Sequence, residues 1–140
     1  MGEHALAGAF LKPPFDTEKK YPMTLCFCPS CFLVQIKEAI PPEVLFKNYF
    51  YKTSAIGTMQ KHFSLLAKKI KTFIPKKIVE IGCNDGVLLK QLVGTCEVIG
   101  IDPSNVVETI DGAIIYNDFL NEDIVKQIGK ADLVVACNVF

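Results

Sequence analysis

The residues best suited to chemistry are acids and glycines spaced along the second half of the chain, and two cysteines near its start. Glu80, Gly82 and Gly86 stand as E-x-G-x-x-x-G within KKIVEIGCNDGVLLKQL. A glycine just after an apolar run lets the chain turn where a Cβ would clash, and lets a ligand approach the backbone. Gly86 is read as opening a helix whose free N–H groups favour a carboxylate or another polar group. Glu80 can organise the loop or accept from an ammonium. Asp102 follows Gly82 by twenty positions (102 − 82), at the end of another apolar run. An acid there is placed to accept from both hydroxyls of a ribose. Asp118-Phe119 joins an acceptor for an adenine amino group to a ring that can pack on the base, and Asn138 ends the next apolar run. The glycines lack the G-x-G-x-x-G spacing of dinucleotide folds, and no Gly-Lys-Ser follows to cradle phosphates. The ligand that fits these groups has ribose, adenine, an amino-acid end and no phosphate: S-adenosylmethionine.

These groups need elements to hold them. KIVEI reads as a buried strand, GVLLKQLV as a helix, CEVIGID as a strand and PSNVVETI as a short helix. AIIYN, NEDIVKQIG and ADLVVACNVF then read as strand, helix and strand. Continuous apolar strands alternating with amphipathic helices imply an α/β fold, a parallel sheet covered on both faces. The expectation is the first four strands of a Rossmann-like doubly wound sheet, with the site residues at the carboxyl ends of successive strands. An edge strand left open there suggests a fragment of a longer domain. Upstream, Ile56, Met59, Phe63, Leu66, Ile70 and Phe73 form one helical stripe. Lys61, Lys68, Lys69 and Lys71 lie off it, as a solvated face. His62 reads as structural. Pro42 suits the first turn of a short helix running to about Asn48. Residues before 36 show little periodicity, with KPPF and YPM punctuating short pieces. The divisions expected are 1–40 as a partial zinc-binding module, 41–75 as a helical linker, and 76–140 as the cofactor-binding half.

The 140 residues include fifteen lysines and no arginine, balanced by fifteen acids. Nucleic-acid binding needs a basic excess and leans on arginine, so neither nucleic acid nor membrane is expected as a partner. No apolar run approaches the ~20 residues that span a bilayer. The start MGEHALAGAF lacks the basic and apolar regions of a secretory signal, and a cytoplasmic protein with reduced thiols is expected. Cys83, Cys96 and Cys137 lie in apolar stretches and read as small core residues. Cys28-Pro-Ser-Cys31 is different: a C-x-x-C turn can aim two thiolates at one zinc ion. A structural zinc takes four protein ligands, and only one pair is present. Cys26 is an awkward third, two residues from Cys28 on an extended segment. A redox pair, or thiols without a role, are the other readings.

VEIGCNDGVLL followed by VIGIDPS resembles the cofactor-binding core of class I S-adenosylmethionine-dependent methyltransferases. HALAGAFL, CPSCFLVQI, LFKNYFYKTS and TMQKHFSLLA are similar to the N-terminal region of zinc-binding sugar C-methyltransferases, and the likeness covers nearly the whole chain. It implies a fragment truncated at both ends. Glu80, Gly82, Asn84, Asp85 and Gly86 match the cofactor loop, with Cys83 where relatives often have serine. Asp102 with Pro103 matches the ribose-binding position, Asp118-Phe119 the adenine side, and Asn138-Val139 the start of the next motif. Cys28 and Cys31 then look like half of a zinc site whose second cysteine pair lies upstream. Tyr49 and Tyr51 match an aromatic pair near the active site, to bind substrate or contact the methyl donor. The implied reaction is methylation of a carbon beside a ketone on a nucleotide-linked deoxysugar, through an enolate. Acid/base residues follow Asn138-Val139 in that family, so this chain alone is expected to be inactive. Other readings are an NAD-dependent sugar oxidoreductase, a non-catalytic zinc-ribbon adaptor, or methylation of oxygen or nitrogen.

Overall fold

In the computed structural model the described residues are 1–7 and 17–139. KPPF, part of HALAGAFL and Phe140 lie outside them. The chain divides into two compact units, 1–50 and 51–140.

The first unit holds two short antiparallel ladders where sequence periodicity was weakest. Strand β1 (Glu3–Ala5) pairs with β2 (Lys20–Pro22), and β3 (Leu25–Phe27) with β4 (Val34–Ile36). Helix α1 (Pro42–Phe46) follows, with proline in its first turn as expected. Three-residue strands with few buried side chains leave no alternation to read, which is why the sequence reading missed them. At the base of β3–β4, the Glu38 carboxylate accepts the Thr24 N–H at 2.7 Å, and the Thr24 hydroxyl also bonds it.

The second unit opens with Tyr51–Lys52, a 3₁₀ turn at Thr53–Ala55 and helix α2 (Gly57–Lys71). Then come β5 (Lys77–Ile81), α3 (Leu89–Leu92), β6 (Glu97–Ile101), β7 (Ile114–Tyr116), α4 (Glu122–Ile128) and β8 (Leu133–Ala136). The four strands form one parallel sheet in the order β7-β6-β5-β8. That is the 3-2-1-4 order of a Rossmann-like half. Strand side chains alternate between two apolar layers. Ile78 and Val98 face α2 and α3 through Phe63, Ala67, Ile70, Leu89 and Leu92. Val79, Ile99 and Ile101 face α4 through Ile124 and Ile128. Helix α2 therefore shares its core with the sheet, rather than standing apart as a linker segment.

Two expected helices change. The GVLLKQLV helix shrinks to the single turn of α3, which ends where Gly94 takes a φ of 79° and Thr95 Oγ1 donates to the Leu92 carbonyl. PSNVVETI is not helical. The Asp102 and Ser104 carbonyls, which a helix would pair within itself, instead accept from Asn117 Nδ2 at 2.8 and 2.9 Å. Helix α4 forms as its caps dictate: Asn121 accepts the Ile124 N–H at 2.9 Å, and Gly129 ends it with a φ of 67°. The α2 stripe is buried at Phe63 and Ile70, whereas Ile56 and Phe73 at its ends are exposed. Among the described residues, no helix is long and apolar enough to cross a membrane.

Ile78 is 0% exposed in the middle of the sheet, whereas Leu65 on α2 is 58% exposed. Ile78→Ala is expected to remove about 2–5 kcal/mol of unfolding free energy in urea titrations, whereas Leu65→Ala stays within about 0.5 kcal/mol.

Candidate cofactor crevice and cysteine knuckle

The crevice of the second unit is built where β5 and β6 end. Gly82, Asn84 and Gly86 all take left-handed backbone, with φ of 71°, 52° and 73°. This folds the loop back on the sheet, and the Gly82 N–H donates to the Ile101 carbonyl at 2.7 Å. Close side chains add to this: a Cβ on Gly82 would meet Val139 Cγ2, and one on Gly86 would meet Ile110 Cδ1, so either side chain would have to shift. Asparagine is among the non-glycine residues that enter the left-handed region most readily.

Asp102 is the centre of the arrangement. It is buried, and Oδ2 accepts the Asn84 N–H while Oδ1 accepts the Ser104 N–H, each at 2.8 Å. A carboxylate offers about four acceptor positions, so two remain for a ligand's hydroxyls. Glu80 lies on the strand beside it, 3% exposed, with Oε2 unpartnered. Burial, with a further contribution from the Asp102 charge, pushes its carboxyl up to about 8. At neutral pH Glu80 is therefore mostly protonated and can donate a hydrogen bond as well as accept one. Asp85 Oδ1 and Ser104 Oγ are likewise buried without partners. Three orphaned polar atoms around one glycine-turned loop fit a polar ligand far better than an apolar one.

Other residues named from sequence fall in different surroundings. The Cys83 side chain points into the apolar layer beside Leu89 and Gly100, so any contact it makes with a ligand runs through its backbone. Its thiol is pushed up by burial, then by the charges of Glu80 and Asp102. Asn84 and Asp85 direct their side chains to residues 51–54. Pro103 is half-buried next to Asp102. Asp118 is exposed beyond β7 and Oδ1 accepts the Phe119 N–H at 2.8 Å, with the Phe119 side chain half-buried. Asn138 is exposed beyond β8 with a φ of 58°. Tyr49 lies one residue before the end of the first unit, its ring packed on Phe46 and Phe50, whereas Tyr51 begins the second. The helix expected to open at Gly86 supplies only one turn at Leu89–Leu92, so its dipole contributes little. Asn117, which braces the Asp102 and Ser104 carbonyls, escaped sequence reasoning; its position directly after a strand was the available signal.

In the first unit Cys28 and Cys31 occupy the turn between β3 and β4. The Cys28 N–H donates to the Leu33 carbonyl at 2.9 Å, and the Phe32 N–H to the Cys28 carbonyl at 2.8 Å. Phe32 holds a φ of 60°, which turns the chain immediately after the second cysteine. The Cys31 and Ser30 backbone N–H groups bond the Cys28 sulfur and lower its thiol from the ordinary range. This is a donor pair suited to a thiophilic metal, because the thiolate is the ligand form. Among the described residues, no group of three or more histidines, cysteines or acids converges to complete a metal site.

Two measurements follow from these surroundings. Glu80 binds its proton in the folded state up to about pH 8 but releases it near 4.5 when unfolded. Its contribution is fully present below about pH 4.5 and is lost as pH rises towards 8. Urea midpoints should therefore decline across that window, and Glu80→Gln should flatten the decline and exceed the parent at pH 8 by more than about 1 kcal/mol. Alkylation by iodoacetamide at neutral pH, followed by mass spectrometry, should label Cys28 early and Cys83 last.

Comparison with known proteins adds two findings. Residues 1–46 match the Methyltransf_13 family model, described as "Putative zinc binding domain". Over its whole length the chain is 29% identical, across 157 residues, to C-methyltransferase NovU of Streptomyces niveus. It spans 37% of that protein's length. The two matches, one on the N-terminal unit and one along the entire chain, support the methyltransferase family that the sequence resembles.

Proposed function

We propose that residues 51–140 form the S-adenosylmethionine-binding half of a methyltransferase. The observation that carries this reading is the buried Asp102 carboxylate, held by two backbone N–H groups at the end of β6 with acceptor capacity to spare. Its position beside a glycine loop at the carboxyl end of the sheet is where open α/β folds bind ligands. Asp102 would take the ribose hydroxyls. Protonated Glu80 and the backbone around Gly82 would meet the amino-acid end, and Asp118-Phe119 the adenine. When bound, the cofactor supplies an electrophilic methyl group. The chain's own work is to orient that group and exclude water from it.

The finer reading is C-methylation of a nucleotide-linked keto-deoxysugar through its enolate, with Tyr49 and Tyr51 on the acceptor side. It is supported by the similarity to a C-methyltransferase and by the motifs shared with sugar C-methyltransferases. Cys28 and Cys31 would hold a structural zinc together with two further ligands. A nicotinamide-dependent oxidoreductase is disfavoured by the Gly82-x-x-x-Gly86 spacing, which differs from that of dinucleotide folds.

Isothermal calorimetry of the chain tests the cofactor reading. S-adenosylhomocysteine is expected to bind, NADH is not, and Asp102→Ala should weaken the former by about tenfold or more, as loss of hydrogen bonds to a charged group implies. Binding of NADH alone, or indifference to Asp102→Ala, would overturn the assignment.

A further inference from the structure

Asn84 and Asp85 lie in the loop, yet their side chains grip another part of the second unit. Asn84 Oδ1 accepts the Thr53 N–H at 2.9 Å, and Nδ2 donates to the Tyr51 carbonyl at 3.0 Å. Asp85 Oδ2 accepts the Ser54 N–H at 3.1 Å. Between these, Lys52 Nζ reaches Glu108 Oε1 at 2.9 Å, while Glu108 Oε2 holds Lys90 Nζ at 2.9 Å. Four consecutive residues, 51–54, are thus tied either to the loop or to a segment beside it.

We propose that Asn84 is a positioning residue: it couples occupancy of the Asp102 crevice to the placement of the strap Tyr51–Ser54. The inference rests on the cofactor reading and deepens it. The Asn84 backbone N–H is bonded to Asp102 Oδ2, and its φ of 52° confines the residue to the left-handed region. The orientation that aims this N–H at Asp102 also aims the amide at the strap. A ligand that fixes the Asp102 carboxylate therefore fixes Asn84, and through it the backbone at Tyr51 and Thr53. The reverse holds with equal strength, because coupling between two sites is reciprocal. The Thr53 and Ser54 N–H groups depend on side-chain acceptors rather than on a strand ladder, so they open locally rather than with the whole sheet. Lys52 and Ser54 are exposed, consistent with a segment held only at intervals.

Amide hydrogen exchange by NMR on the full chain, with and without S-adenosylhomocysteine, tests this. A ligand present at 100 times its Kd that binds only the closed strap slows exchange through local opening by about a hundredfold. The Thr53 and Ser54 amides should show this slowing, with the Ile99 amide in β6 as the reference for global unfolding. Asn84→Gly keeps the left-handed backbone without strain and deletes only the amide. It should still bind the ligand, more weakly, and should lose the slowing at Thr53. If Asn84→Gly does not fold, Asn84→Asp keeps the Thr53 acceptor and loses the Tyr51 donor. A partial slowing there supports the coupling, and a parental one overturns it. Ligand binding without slowing in the parent chain overturns the coupling and leaves the cofactor reading intact. Equal slowing in the parent and in Asn84→Gly also overturns it. Absence of ligand binding in calorimetry overturns both.

Discussion

The organisation of the second unit depends on one buried carboxylate. Asp102 accepts from the loop after β5 through Asn84 and from the turn after β6 through Ser104. A buried polar group left without partners is costly, so its oxygens must be hydrogen-bonded. Here the partners are backbone N–H groups belonging to two segments far apart in sequence. Satisfying Asp102 therefore brings those segments together, and the crevice is what lies between them. Asn117 completes the bracing from β7 by taking up the carbonyls of residues 102 and 104.

Two buried acids side by side would be costly if both were charged. The conflict is resolved by unequal environments. Asp102 has two N–H partners, whereas Glu80 Oε2 has none, and Glu80 keeps its proton to about pH 8. Glu80 thus offers a neutral carboxyl that can donate, beside the open acceptor positions of Asp102. Cys83 adds no charge, because the same burial that protonates Glu80 holds its thiol neutral.

The first unit follows a different logic. Its ladders are three residues long, and Leu25, Phe27, Val34 and Ile36 remain exposed. Apolar burial within the hairpin is therefore slight, and local hydrogen bonds carry much of its definition. Thr24 with Glu38 closes one end, and the Cys28–Phe32 turn closes the other. Cys28 and Cys31 lie in that turn, where a module with so little core has most to gain from a staple.

The strands of the sheet, the stripe on α2 and the helix α4 were legible in the sequence, because each is written in local residue spacing. Apolar runs of five residues specify buried strands, and the NEDIVKQIG pattern specifies a helix, wherever they occur. The acids and glycines of the loop were legible as a set for the same reason: they sit at the ends of those runs. Tertiary structure alone decided how the side chains were used. Val106 and Val107 looked helical until Asn117 took up the Asp102 and Ser104 carbonyls. Cys83 turned into the core, and Asn84 turned towards Thr53 across 31 residues of chain. Residue spacing along a strand or helix encodes which face a side chain occupies. It does not encode which distant donor will reach a given acceptor, and that pairing settles the shape of the loop and the place of the strap.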